Sequence, residues 1–229
     1  IVTVLNARQG VEVGTEIIWN YIDKYNKPTL FVVNQIDHPN ASFEDSLRDI
    51  RNLVGTNAAQ IQYPLKVDGA QCIVDVLKMK MYKFGPEGGK PEKCPIPKDQ
   101  KERADRLHNE LVEKAAENDE ELLELFFEKG TLSEDEMRQG IKAGMLRHEL
   151  FPVFCVSALN DMGSGRLMGF IDNVAPAAAD LKPEHSVEGE TVEPSMEVPT
   201  TLFVFKSLQQ PNVGQENFFK VTSDQVPAN

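Results

Sequence analysis

The stretch that most constrains the fold is Leu30-Phe31-Val32-Val33-Asn34-Gln35-Ile36-Asp37. Its four apolar residues, three of them β-branched or aromatic, have the unbroken pattern of a strand covered on both faces, as in a parallel sheet. In doubly wound sheets ligands sit at the carboxyl ends of strands, which is where Asn34 and Asp37 fall. An Asn amide there can both donate to and accept from a heterocycle. A fixed carboxylate three residues on can accept from a ring N–H and an exocyclic amine together, a pair that guanine presents and adenine does not. The competing reading is that Asn34 and Asp37 cap the next helix, since both residue types favour N-caps and turns.

The sequence before and after this stretch alternates strand and helix. Residues 1–5 form an expected strand. A polar turn follows, then a helix over 14–26 with Ile17, Ile18, Tyr21, Ile22 and Tyr25 at helical spacing. Strand, helix, strand at this length is a right-handed crossover with parallel strands. Because residue 1 already lies in a strand, the chain reads as starting in the middle of a sheet. Ser42 with Asp45 marks the start of a helix reaching about Val54, and Gly55-Thr56-Asn57 stops it.

From Ala58 the pattern changes to the polar–apolar alternation of short antiparallel strands, over 60–65, 71–76 and 79–84. Residues 85–97, rich in Gly and Pro, read as a mobile loop. Three helices are expected over 98–117, 119–128 and 133–148. Ser133 and Glu136 make a capping box for the last. Glu113, Glu117, Glu120, Glu121 and Glu124 form an acidic face, which in most helices is simply the solvated side. His108 and His148 read as surface residues. Phe151-Pro152-Val153-Phe154-Cys155-Val156 returns to the buried-strand pattern and ends in Ser157-Ala158-Leu159. A helix over 166–174 follows.

These divisions give an expected layout. Residues 1–57 and 150–180 are two segments of one α/β domain, interrupted by an α+β subdomain at 58–149. Residues 181–199, rich in Glu, Pro and Ser, are a linker. Residues 200–229 hold two short strands, 202–206 and 217–221, around Pro211-Asn212-Val213-Gly214, the opening hairpin of a β domain.

Composition excludes several classes. A net charge of −12 makes sequence-independent binding to a phosphate backbone unfavourable. The 3 cysteines are far apart with no Cys-x-x-Cys pair, which fits a reducing cytoplasm and argues against structural zinc. No apolar run approaches the roughly 20 residues a membrane span needs.

A strand ending in Asn-x-x-Asp, with a later strand ending in Ser-Ala, resembles the base-binding motif pair of the P-loop GTPases. The combination is far more specific than either half. The motifs here are more than a hundred residues apart, and a subdomain at that position resembles bacterial elongation factor G. Asn6-Ala7-Arg8-Gln9-Gly10-Val11-Glu12-Val13-Gly14-Thr15-Glu16 resembles that family's segment after its second switch. Residues 69–80 resemble its first inserted strands. Phe203-Val204-Phe205-Lys206, with Pro211 and Gly214, resembles the start of its second domain, a β-barrel.

The resemblance implies an α/β fold: the C-terminal part of a P-loop GTPase doubly wound sheet, with an inserted α+β subdomain and the start of a β-barrel domain. It implies a guanine site of Asn34, Gln35, Asp37, Ser157, Ala158 and Leu159, in which a backbone N–H of the Ser-Ala segment meets the guanine carbonyl and that segment helps place the Asp37 carboxylate. The bound cofactor would be GTP or GDP, with Mg²⁺ held only through motifs expected before Ile1. The parent would be a cytoplasmic GTPase that promotes ribosomal translocation of tRNA and mRNA. Its partners would be the ribosome and, through residues 58–149, the ribosomal stalk protein, with no membrane and no direct sequence-specific nucleic-acid contact from this chain. Two alternatives stand beside it: a module whose role is to bind the stalk protein, and a GTPase of the ribosome-protection type.

Two departures qualify the match. The family reads Asn-Lys-x-Asp, and Gln35 stands at the Lys position, which implies a divergent paralogue with one face of the base covered less well. No Gly-x-x-x-x-Gly-Lys-Ser/Thr loop, Asp-x-x-Gly or catalytic histidine region is in the sequence, and Gly163-Ser164-Gly165-Arg166 is no substitute. This chain alone is therefore expected to hydrolyse no GTP.

Overall fold

A computed structural model describes residues 1–180, 182–210 and 214–226. The chain divides into two compact units, Ile1–Ala175 and Pro176–Asn229.

The first unit is built on a four-stranded parallel sheet. Strand β1 (Val2–Asn6) leads through helix α1 (Val13–Lys24) to β2 (Leu30–Asn34). Helix α2 (Phe43–Val54) leads to the short strand β3 (Ala58–Gln60). Beyond the inserted elements, β8 (Phe151–Cys155) completes the sheet, in the order β1-β2-β8-β3. Val32 pairs with Val4 on one side and Phe154 on the other. Phe31, Val32 and Val33 are all essentially inaccessible, as the unbroken apolar run predicted.

The period of two in β8 sends its side chains to opposite faces. Phe151 meets Trp19 of α1 edge-on at 5.0 Å, while Phe154 meets Phe170 of helix α6 (Ser164–Asn173) at 4.7 Å. Helices therefore cover both faces of the strand, the arrangement its apolar sequence demands.

Neither Asn34 nor Asp37 caps a helix, so the competing reading fails. Helix α2 begins at Phe43 under Ser42, whose hydroxyl accepts the Asp45 N–H at 3.2 Å.

The insert carries its own antiparallel sheet: β4 (Gln62–Val67), β5 (Ala70–Asp75), β6 (Lys80–Gly85) and β7 (Gly88–Cys94), paired in that order. Two boundaries differ from those expected. The subdomain does not begin at Ala58, because Ala58–Gln60 pairs in parallel with Phe151–Val153 of β8 and belongs to the host sheet. Nor is 85–97 a loop throughout, since Gly88–Cys94 is an edge strand on β6. Pro and Gly misled the reading for physical reasons. Pro91 lacks an N–H, but an edge strand has one side on which none is needed. Gly88 and Gly89 take φ of 74° and 78° at the turn, where only glycine is at ease.

Helices α3 (Lys98–Ala116), α4 (Glu120–Lys129) and α5 (Glu134–Arg147) complete the insert. Both halves of the Ser133–Glu136 capping box are made. Helices α3 and α5 pack so closely that a Cβ on Gly140 would stand 2.2 Å from the Ala115 carbonyl oxygen. Insert and host share one continuous hydrophobic core.

Two side-chain expectations also change. His148 is not a surface residue: its side chain is 9% exposed, stacked on Trp19 at 5.5 Å and edge-on to Phe151. His108 is half-buried, with Nδ1 2.8 Å from the Val76 carbonyl. Helix α1 buries Ile22 and half-buries Trp19, but Ile17, Ile18, Tyr21 and Tyr25 stay about half exposed or more. Val2 and Val4 on the edge strand β1 are exposed as well, on the opposite side of the sheet, the one that carries Val32 and Phe154.

In the second unit, strands β9 (Glu184–His185) and β10 (Thr191–Val192) make a small antiparallel pair within the expected linker. Strands β11 (Thr201–Gln210) and β12 (Gly214–Ser223) form the expected hairpin, each longer than the sequence suggested. Residues 211–213 of the expected turn, with linker residue 181 and residues 227–229, lie outside the described residues.

Candidate functional site

The two motifs meet because their strands are neighbours. Beyond the last paired residues of β2 and β8 the backbones stay joined: the Val156 N–H donates to the Val33 carbonyl at 2.9 Å and the Ile36 N–H to the Val156 carbonyl at 3.3 Å. Asn34-Gln35-Ile36-Asp37 and Ser157-Ala158-Leu159 therefore share one end of the sheet.

Asn34 ties the motifs together. Its Oδ1 accepts the N–H of Gln35 at 2.8 Å and that of Ala158 at 3.0 Å. The acceptor half of the amide is thus used within the protein, and only the NH₂ is left to face a ligand. The Ala158 N–H that the resemblance would aim at a guanine carbonyl is likewise engaged, so a carbonyl arriving there would have to share it with Asn34. The Ser157 N–H is also occupied, by the Met162 carbonyl at 2.9 Å.

Asp37 is held from the other motif by a residue that the sequence reading missed. Its Oδ2 accepts from Asn160 Nδ2 at 3.1 Å. Ser157, the residue the resemblance gave a part in placing this carboxylate, is fully buried and among the described residues is linked to it through Asn160, whose N–H its hydroxyl accepts at 3.3 Å. The one available hint was position, with an amide side chain three residues past a strand-ending Ser. Asp37 Oδ1 is buried and has no hydrogen-bond partner among the described residues. A buried carboxylate oxygen without a donor is unfavourable, and a ligand N–H would relieve that cost.

Gln35 sits in the left-handed region at φ 65°, exposed, and Leu159 is 89% exposed on its loop. Both are open to contact. An open cavity of about 550 Å³ lies against Asp37, Asn160 and Met162 on the host side and Asp68–Gln71 and Phe84–Pro86 of the inserted sheet on the other.

Cys155 lies just below the site, but complete burial pushes its thiol well above the ordinary value and keeps it protonated. Among the described residues no group of three His, Cys, Asp or Glu side chains could hold a metal ion. The site presents a donor amide, a fixed carboxylate and two exposed side chains. No helix among the described residues is long and apolar enough to cross a membrane.

A parallel sheet with helices on both faces, whose adjacent strand tips carry Asn-x-x-Asp and a Ser-Ala loop, has the architecture of a P-loop GTPase. Residues 1–177 match the family described as the elongation factor Tu GTP binding domain, and the chain belongs to that family of translational GTPases. In fold the chain is similar to a protein of Thermus thermophilus known from its crystal structure. The two are 24% identical, with a TM-score of 0.75 over 96% of this chain and 31% of that one. The chain thus spans about a third of that protein's length.

Proposed function

We propose that this chain is part of an elongation factor G-like translational GTPase, a divergent paralogue that binds GTP or GDP and promotes movement of tRNA and mRNA through the ribosome. The observation that carries the reading is the Asp37 carboxylate at the joined strand tips, held through one oxygen and left with a buried, unpartnered second oxygen. That oxygen suits the N1–H of guanine, with the exocyclic amine shared across the carboxylate. Asn34 offers its NH₂ to the base, Gln35 and Leu159 cover its faces, and Ser157 and Ala158 form the loop beneath it. Phosphate and Mg²⁺ would be held by motifs outside this sequence. The exposed Val2 and Val4 of the edge strand β1 support the view that further strands of such a sheet belong there.

The chain's layout follows from the same reading. Residues 1–60 and 150–180 are the GTPase segments, and 62–149 are the inserted subdomain. After the linker, residues 200–229 open a β-barrel domain, and the exposed Phe203, Phe205, Phe218 and Phe219 are its core-forming side chains awaiting cover. The inserted subdomain contacts the ribosomal stalk protein, and the protein works in the cytoplasm on the ribosome.

The test is a base swap. In the full-length protein, Asp37→Asn replaces an acceptor by a donor, which suits the 2-oxo group of xanthine and opposes the 2-amino group of guanine. The preference should pass from GDP to XDP by about a hundredfold or more. An unchanged GDP-to-XDP ratio would refute the guanine reading. For the partner, the C-terminal domain of the stalk protein, titrated into labelled chain, should shift NMR resonances of the insert. Shifts confined to the GTPase segments would refute that assignment.

A further inference from the structure

The carboxylate at the strand tip is set from across the molecule. A carboxylate only accepts, so the Asn160 amide must turn its NH₂ toward Asp37. Asn160 is itself pinned at both backbone groups. Its N–H goes to the Ser157 hydroxyl, and its carbonyl accepts the Gly89 N–H at 3.1 Å. Gly89 lies at the start of β7, where the chain leaves the turn from β6. Its neighbour Gly88 approaches so closely that a Cβ there would stand 1.5 Å from the Asn160 carbonyl oxygen and 2.6 Å from its carbon. No side chain but hydrogen fits, so the position of Asn160 and that of the turn are one geometric fact.

The inserted sheet is anchored to the host near the same place. Arg166, early in α6, reaches Asp75 Oδ2 at the end of β5 through Nε at 2.8 Å and a terminal nitrogen at 2.7 Å, with Asp75 fully buried. Gly163, at the start of that helix, abuts Ile73 of β5, with a Cβ position 3.0 Å from Ile73 Cδ1. The turn is therefore held by a fixed sheet.

We propose that Asn160 is a positioning residue for guanine specificity, and that the Gly88–Gly89 turn of the inserted subdomain sets it, so that base discrimination depends on a segment that need not touch the base. This rests on the guanine reading of Asp37 above. By reciprocity, whatever moves the turn changes nucleotide affinity, and nucleotide binding in turn changes how readily the turn moves.

The experiment compares GDP with IDP on the full-length protein by competition against a fluorescent GDP. Inosine lacks the 2-amino group, so the GDP-to-IDP affinity ratio reports how well the carboxylate is placed for that amine, which general loosening of the fold does not. Asn160→Ala should lower the ratio by about tenfold, the worth of one hydrogen bond to a charged group. Gly88→Ala, with Asn160 intact, should lower it in the same direction. If Gly88→Ala fails to fold, Gly89→Ala serves, because its Cβ meets nothing within 4 Å and strains only the φ of 78°. An unchanged ratio in Asn160→Ala, while Asp37→Ala abolishes the GDP preference, would overturn the role of Asn160 and leave the guanine reading standing. A lowered ratio in Asn160→Ala with an unchanged one in the turn variants would overturn the part assigned to the insert. An unchanged ratio in Asp37→Ala would remove the guanine reading and this proposal with it.

Discussion

Asn34 and Ala158 lie 124 positions apart in the chain, yet the side-chain oxygen of the first accepts the backbone N–H of the second at 3.0 Å. The same oxygen accepts the Gln35 N–H, so one amide fixes both the turn after β2 and the loop after β8. The two strand tips behave as one element.

Removing that amide should loosen the loop without unfolding the sheet. Asn34→Ala frees two N–H groups, but the Ala158 loop is exposed and water can replace the lost acceptor. The expected cost is about 1 kcal/mol in urea unfolding with an unchanged m-value. On the proposed guanine reading GDP binding should fall further than stability does, since the NH₂ assigned to the base is lost too. A loss of about 4 kcal/mol would mean that the amide holds the sheet itself.

Arg166 and Asp75 make a different kind of contact. Asp75 is fully buried, and the guanidinium is mostly so. Arg166→Leu strands a carboxylate whose other oxygen accepts only the Lys78 N–H at 2.8 Å among the bonds described. Breaking such a pair costs about 3–5 kcal/mol, far more than a surface ion pair. Adding Asp75→Asn keeps an oxygen for Lys78 and removes the stranded charge. The double variant should therefore recover at least half of the loss, measured by chemical denaturation.

The capping box of α5 gives the protein a pH-dependent component of stability. Glu136 accepts the Ser133 backbone N–H at 2.6 Å, and this bond first, then the Ser133 side chain, lowers its carboxyl below the ordinary 4.5. A carboxyl lowered on folding stabilises the native state above its unfolded value, and that contribution disappears as pH falls through the lowered native value. Glu136→Gln removes the titration. The gap between the urea midpoints of wild type and this variant should therefore be larger at about pH 6 than at about pH 3. A gap that does not narrow on acidification would show that the carboxylate contributes nothing to the cap.

In the proposed guanine site Gln35 stands where a longer cationic side chain would cover more of the purine face. Gln35→Lys in the full-length protein should tighten GDP binding several-fold, about 1 kcal/mol. An unchanged dissociation constant would show that Gln35 is not what sets this protein's nucleotide handling apart. The chain by itself, lacking a phosphate loop in its sequence, should release no phosphate from GTP above a buffer blank in a malachite-green assay.

Much of this architecture is written locally. The unbroken apolar runs at 30–33 and 151–156, Ser42 and Ser133 ahead of their helices, and the alternation at 71–76 each act within a few residues, and each became the expected element. The Asn34 and Asp37 motif could be read for the same reason, because its chemistry lies in residue type and spacing at the end of a strand. What the sequence could not settle was every question of which partner. Ala58–Gln60 is too short to carry a pattern of its own and runs straight into the alternating stretch that follows, yet it lies beside β8 in the host sheet. A stretch dense in Gly and Pro became an edge strand because β6 offered it a free side to pair with. His148 looks like a surface residue until Trp19 and Phe151 close over it. Asn160 is an ordinary loop residue until Asp37 and Gly89 arrive from more than seventy positions away. Periodicity and capping are decided by the geometry of one helical turn or one pleat, so the chain carries them in order. Pairing, burial and the orientation of a carboxylate depend on residues that meet only once the chain has folded, and there the tertiary structure alone decides.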